Sequence, residues 1–169
     1  MKSDFLYARF FRLSLKELHG KSCSHFRCRS IGLVTNPKFS PQSLACTRWL
    51  QTLISQKIRL IIPEIVDYEV RRELLRANKI KGLEHLDALI KRLEYLPITT
   101  AAMRQAALLW AQAHQQGQPT AADNTIDGDM ILIGQVVSLE ISNFIIATTN
   151  VGQLSQFTVA DLWTNITTR

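Results

Sequence analysis

Apolar residues recur along this chain at three- and four-residue spacing over several stretches and run unbroken over two short ones. The first pattern predicts amphipathic helices, the second predicts strands buried on both faces. Ile58-Arg59-Leu60-Ile61-Ile62, closed by Pro63, and Phe144-Ile145-Ile146-Ala147 are the strands. Leu96-Pro97-Ile98 reads as a short extended piece that its proline confines to a sheet edge or near it. Ser40-Pro41 announces a helix, with Ser as N-cap, Pro at the first helical position and Phe39 and Leu44 spaced as a hydrophobic staple; Leu50, Leu53 and Ile54 continue its buried side. A second helix holds Asp67 to Leu75, and after a break at Gly82 a third carries Leu83, Leu86, Ile90 and Leu93. A fourth, capped by Thr99 or Thr100, has Met103, Ala106, Ala107, Trp110 and Ala113 as its seam. A polar loop from Gln115 to Thr125 then gives way to a strongly apolar helical run from Met130 to Leu139. Phe157 to Ile166 closes the chain with one more short strand or helical turn. Strands separated by helices in this order predict an α/β three-layer sandwich around a short parallel sheet.

Length and composition suit one domain with a substantial core: 169 residues, 46% of them apolar. The net charge of +6 changes the picture once it is located. Residues 1–30 hold seven Lys/Arg against two acids, Asp4 and Glu17, whereas the remainder holds thirteen against twelve. The basic balance is therefore an N-terminal property and says little about nucleic-acid binding by the body of the chain. Phe5, Leu6, Phe10, Phe11 and Leu13 suit a short amphipathic helix, but no period continues past Gly20. Residues 1–30 read as an atypical basic extension, disordered or foreign to the domain through a shifted reading frame or misplaced start. Residues 31–169 read as the domain, with order beginning at Ile31-Gly32-Leu33-Val34-Thr35-Asn36-Pro37. His19, Cys23, His25 and Cys28 match no zinc-finger spacing. No apolar run reaches the roughly 18 residues of a membrane span, and no export signal is evident. Three cysteines without such a signal point to reduced thiols and a cytoplasmic location. Trp49, Trp110 and Trp163 read as core.

The chemistry gathers around TIDGDMILIGQVVSLEISNFIIATTN, residues 125–150. A helix feeding an apolar parallel strand is half of a βαβ unit, and open α/β sheets bind ligands at the C-terminal edge of their strands. Asp127 and Asp129 open the helix, Asn150 ends the strand, and Glu69 lies about two turns beyond the Ile58–Ile62 strand. If these reach one edge they form a hard, oxygen-rich site suited to Mg²⁺ or Mn²⁺. Each residue also has an ordinary reading. Asp127 suits a helix N-cap, Asp129 a first-turn acid favoured by the dipole, Glu69 an ion pair with Arg72, and Asn150 a turn. Arg71 and Arg72 begin a basic cluster that serves equally as a phosphate grip or a solvated face. No Ser/His/Asp or Cys/His set and no phosphate-binding glycine loop accompanies them.

Taken together, PEIVDYEVRREL, IDGDMILIGQ and Thr148-Thr149-Asn150 resemble the PIN-domain family, especially the VapC-type ribonucleases of toxin–antitoxin pairs, over about Ile31–Ile166. The resemblance implies a PIN-like three-layer α/β/α sandwich with a parallel sheet of four or five strands. It implies Glu69 and Asp129 as metal-holding acids with Asp127 beside them, and Thr148 and Asn150 in support of the metal or its water. It further implies Mg²⁺ or Mn²⁺, hydrolysis of RNA, an antitoxin protein as partner, and a homodimer. One departure stands out: the family's first strand ends in an acidic motif, and here Phe26-Arg27-Cys28-Arg29-Ser30 contains no acid. The first strand is accordingly expected to be degenerate. The functional expectation is a metal-dependent endoribonuclease impaired by that loss, with a catalytically silent RNA- or protein-binding module as the alternative.

Overall fold

The apolar runs form parallel strands, and the amphipathic stretches form the helices that cover them. A computed structural model describes residues 23–26, 28–36, 40–115, 123–139, 141, 143–149, 151–152 and 154–167; for 23–26, 28–29 and 123–127 the description extends to the backbone alone. In chain order these residues give β1 (Cys23–Phe26), α1 (Cys28–Thr35), α2 (Pro41–Ser55), β2 (Arg59–Pro63), α3 (Glu64–Arg76) and α4 (Ile80–Arg92). There follow β3 (Glu94–Leu96), α5 (Thr100–Gln115), α6 (Asp123–Val137), β4 (Phe144–Thr148), α7 (Leu154–Phe157) and β5 (Ala160–Leu162). One five-stranded sheet has the order β3-β2-β1-β4-β5, and every neighbouring pair is parallel. This is the expected PIN-like α/β sandwich.

Burial explains why two of the strands were legible. Leu60 to Pro63 in β2 and Ile145 to Thr148 in β4 are buried at every position, as sheets covered on both faces require. The core is continuous, running from Ile31 and Leu53 through Ile62 and Val66 to Leu132, Ile146 and Trp163. Ser40 caps α2 by accepting a hydrogen bond from the Ser43 amide at 3.0 Å, and Pro41 begins the helix as expected. Phe39, half of the expected staple, lies outside the described residues.

The boundary expected at Ile31 is corrected. It falls inside α1, and the sheet is built around a strand that precedes it: Cys23 pairs in register with Arg59 of β2 and Phe144 of β4. Cys-Ser-His-Phe shows neither alternation nor an apolar run, so its extended form is imposed by two neighbours that each offer a full row of backbone donors and acceptors. Ser30 then anchors α1 to the sheet, its hydroxyl donating to the Ala147 carbonyl at 3.2 Å.

The α5 seam is also rotated from expectation. Ala102, Ala106, Leu109 and Ala113 are buried, while Met103, Ala107 and Trp110 are exposed. The cause is the closeness of α5 to α6. A Cβ on Gly134 would collide with the Ala102 carbonyl and lie 3.1 Å from the Ala106 nitrogen, so small residues occupy the contact and the large ones turn outward. Trp110 consequently stacks on His114 at 3.7 Å instead of entering the core, whereas Trp163 is buried and Trp49 lies 5.7 Å from it, donating Nε1 to the Ile166 carbonyl.

Candidate functional site

The sheet has its topological switch between β1 and β4. From β1 the chain moves outward through β2 to β3, then returns to the far side of β1 for β4 and β5. The crevice at the C-terminal ends of such a strand pair is where open α/β sheets place ligands. Phe26 closes β1 opposite Ala147, and Thr148, fully buried, closes β4. Its carbonyl accepts the Trp163 amide at 2.9 Å, which fixes the strand end against β5.

Two helices carry acids to this edge. Glu69 lies in α3, which starts directly where β2 ends, and Asp129 lies in α6; both side chains are half-buried. The two helices approach each other at Gly128. A Cβ built on Gly128 would clash with Glu69 Oε1 and lie 3.3 Å from its Cδ. The Glu69 carboxylate thus rests against the α6 backbone at the residue adjoining Asp129, and the missing side chain of Gly128 is what admits it. Asp127, on the other side of Gly128, falls within the helical backbone, four residues after α6 begins. That removes its N-cap reading, and with it the first-turn reading of Asp129. The Asp127 side chain and Asn150 lie outside the described residues.

Among the described residues no three His, Cys, Asp or Glu side chains group as a metal site. Glu69 with Asp129 nevertheless provides two hard carboxylates, and Mg²⁺ characteristically takes one or two while retaining water. The donor set therefore fits Mg²⁺ or Mn²⁺ and is a poor match for softer ions.

The two arginines separate. Arg71 donates Nε to Asp67 at 3.0 Å and Nη2 to Asp87 at 2.7 Å, tying α3 to α4. The Asp87 hydrogen bond foremost raises its pKa, partial burial opposes this, and the Asp67 hydrogen bond adds to the rise. Its fork is committed to these carboxylates. Arg72, exposed, lies 5.5 Å over the Tyr68 ring and 4.0 Å from Glu73, on the same helix face as Glu69 three residues earlier.

Three supporting residues carried too little sequence signal to be singled out. Gln135 is buried; its Oε1 accepts the Ile65 amide at 3.3 Å and its Nε2 donates to the Leu96 carbonyl at 2.8 Å. Glu64 accepts the Ile98 amide at 2.6 Å, and the Tyr95 hydroxyl donates to Asp67 at 3.2 Å. Together they lock the α3 start, the α6 middle and the β3 end, which holds the Glu69-bearing helix over the edge. Gly128 had a readable sign: glycine inside a helix costs about 1 kcal/mol against alanine, so one between two acids implies a close approach.

No protein-family model matches the chain, and no curated protein matches it. Solved structures do. The chain is similar to one in the DNA-bound complex VapBC2 from Rickettsia felis, with a TM-score of 0.63 at 14% identity, covering 83% of this chain and 98% of that one. It is similar to one in DNA-bound VapBC from Salmonella typhimurium, with a TM-score of 0.62 at 16% identity, covering 84% and 98%. At such identities the likeness is one of fold, and the fold is that of chains found in VapBC complexes.

Proposed function

We propose that this chain is a VapC-like endoribonuclease domain that hydrolyses RNA phosphodiesters with Mg²⁺ or Mn²⁺. The observation that supports this reading is the approach of Glu69 to Gly128, the neighbour of Asp129, across 59 positions of sequence. Glu69 and Asp129 hold the ion, Asp127 assists, and Thr148 and Asn150 support the water or substrate beside it. Such an ion, when bound, shields the phosphate's charge and favours ionisation of water. The protein's own part is to fix the two carboxylates on packed helices, so that their geometry survives the approach of a polyanion. Arg72, on the Glu69 face, is the better placed arginine for a phosphate contact; Arg71 serves the fold through Asp67 and Asp87. The likeness to chains of VapBC complexes supports a small antitoxin as partner, covering the acidic pocket; a homodimer and a cytoplasmic location are part of the same proposal. Among the described residues no helix is long and apolar enough to cross a membrane.

A second reading is favoured by one observation: the central strand closes at Phe26 and is followed by Arg27 and Cys28, so no carboxylate from β1 joins the pair. Under it the chain retains RNA, or a partner protein, without cutting. Incubating the purified chain with single-stranded RNA and Mg²⁺ or Mn²⁺ separates the two. Metal-dependent products that vanish in Asp129→Asn and Glu69→Gln support the nuclease; a gel shift without products supports the binder. Cleavage unchanged by Asp129→Asn removes the site from the account.

A further inference from the structure

Tyr68 precedes Glu69 on α3 and is 56% exposed. Its neighbours on the helix surface, three and four residues away, are Glu64, Ile65, Arg71 and Arg72. Ile65 is buried, and two of the three charged residues serve the fold: Glu64 accepts the Ile98 amide at 2.6 Å, and Arg71 binds Asp67 and Asp87. Arg72 is the third. Its guanidinium lies 5.5 Å over the Tyr68 ring, within cation–π range, and its side chain is 53% exposed. Glu73 approaches it only to 4.0 Å, too long for a hydrogen bond, and already accepts two from Arg76, at 2.9 and 2.7 Å. Ring and cation thus face solvent as a pair one residue from the acid edge. We infer that Tyr68 and Arg72 form a stacking platform for a base of single-stranded RNA. The inference rests on the nuclease reading for the place of the scissile phosphate, and on the Tyr68–Arg72 pair for the base beside it.

Three features favour a nucleotide over a protein as what the ring meets. The core of a protein–protein interface is apolar and depleted of charge. Tyr68 instead stands singly on α3, and its solvent-facing helix neighbours are Glu64, Arg71 and Arg72. The chemistry of the pair also matches a base. Every base has a π-face that stacks on aromatic rings and on guanidinium planes alike, and an arginine beside a ring adds charge for the backbone. Finally, the position suits a strand held by its phosphate. Arg72 shares the Glu69 face and Tyr68 adjoins it, so a phosphate over the acids brings the flanking nucleotide past both. A pair that served the helix alone would stabilise α3 and leave RNA affinity untouched, which gives the inference its test.

The experiment varies protein and RNA together. Wild type, Tyr68→Leu, Tyr68→Phe and Arg72→Gln are titrated by fluorescence anisotropy, with EDTA present, against a short single-stranded RNA and against the same RNA made abasic at each position in turn. Cleavage of the intact strand with Mn²⁺ is mapped in parallel. Tyr68→Leu keeps an apolar side chain but no ring, and is expected to weaken the intact complex roughly tenfold. Tyr68→Phe keeps the ring and the affinity. One abasic position should weaken wild type by a similar factor and Tyr68→Leu no further. Arg72→Gln should weaken binding and lower the salt slope by about one. Affinity unchanged in either Tyr68→Leu or Arg72→Gln overturns the platform, even if Asp129→Asn abolishes cleavage and the nuclease stands. So does a Tyr68→Leu loss that is the same for the intact strand and every abasic one, and so does absence of RNA binding by wild type. The expected pattern of affinities without any cleavage supports the platform while the nuclease reading fails.

Discussion

Among single residues Gly128 has the largest consequence for its size. Gly128→Ala removes a helix-interior glycine, a gain of about 1 kcal/mol, but must displace the tip of Glu69. A flexible side-chain end can move, so stability in urea unfolding should stay within about 1 kcal/mol of wild type. The carboxylate does not return to its place, and misplacement by about 1 Å commonly costs on the order of 100-fold in rate. Metal-dependent RNA cleavage lost in a folded Gly128→Ala is the expected outcome; full activity would show that Glu69 is dispensable where it rests. Cys46 is the contrasting case of a residue without chemistry. It is fully buried, with Sγ 3.7 Å from the Ser30 carbonyl, and burial pushes its thiol from 9.0 up to about 12. Because the folded value lies above the unfolded one, its contribution to stability is whole below pH 9 and is lost as pH rises towards 12. Peptide mapping after iodoacetamide treatment at pH 8 should find Cys46 unmodified in the native chain, since the thiolate is the reactive form; rapid modification there would contradict its burial. Both residues show how far side-chain identity alone reaches. An acid's type and spacing suggested Glu69 and Asp129, but the approach of Glu69 to the α6 backbone depends on Gly128, whose meaning appears only when α3 lies against α6.

At the scale of elements, the strands with unbroken apolar runs, β2 and β4, could be read directly, and so could the Ser40 cap of α2. Two elements could not. The α5 face was misassigned because a small-residue contact at Gly134, not side-chain size, decides which side is buried. The central strand β1, expected only as a degenerate first strand, could not be located because Cys23–Phe26 has no pattern of its own and is held by its neighbours on both sides. Under the proposed nuclease reading, that strand is also where a carboxylate is lacking. Phe26 closes β1 level with Ala147, so Phe26→Asp puts a carboxylate at the same edge as Glu69 and Asp129. Mn²⁺-dependent cleavage by this variant should exceed that of the parent chain, and a variant that folds and binds Mn²⁺ no better would place the lesion elsewhere. The hydrogen-bond clamp at Gln135 offers an independent check on how α3 is held. Gln135→Leu strands the Ile65 amide and the Leu96 carbonyl, and leaving buried polar groups unpaired costs roughly 1–3 kcal/mol, measurable as a lower urea midpoint.

For the molecule as a whole, the relation between the site and global stability is the sharpest remaining handle. Beyond residue 30 the charges nearly cancel, thirteen Lys/Arg against twelve acids, so that part of the chain does not by itself attract RNA to the acidic edge. Whatever affinity exists there must come from local geometry. An ion bound to the folded state alone stabilises it by RT ln(1 + [L]/Kd), about 2.7 kcal/mol at a hundredfold excess over Kd. Glu69 and Asp129 belong to different helices, α3 and α6, that follow different strands, so the pair does not exist in the unfolded chain and binding to it is binding to the fold. Melting followed by circular dichroism should therefore shift upward by several degrees as Mn²⁺ rises from micromolar to millimolar, and return on addition of EDTA. Asp129→Asn and Glu69→Gln should each flatten this dependence while retaining the cooperative transition. Equal shifts in wild type and in both variants would mean that the ion binds at another acidic surface, and the approach of Glu69 to Gly128 would then have a packing role only.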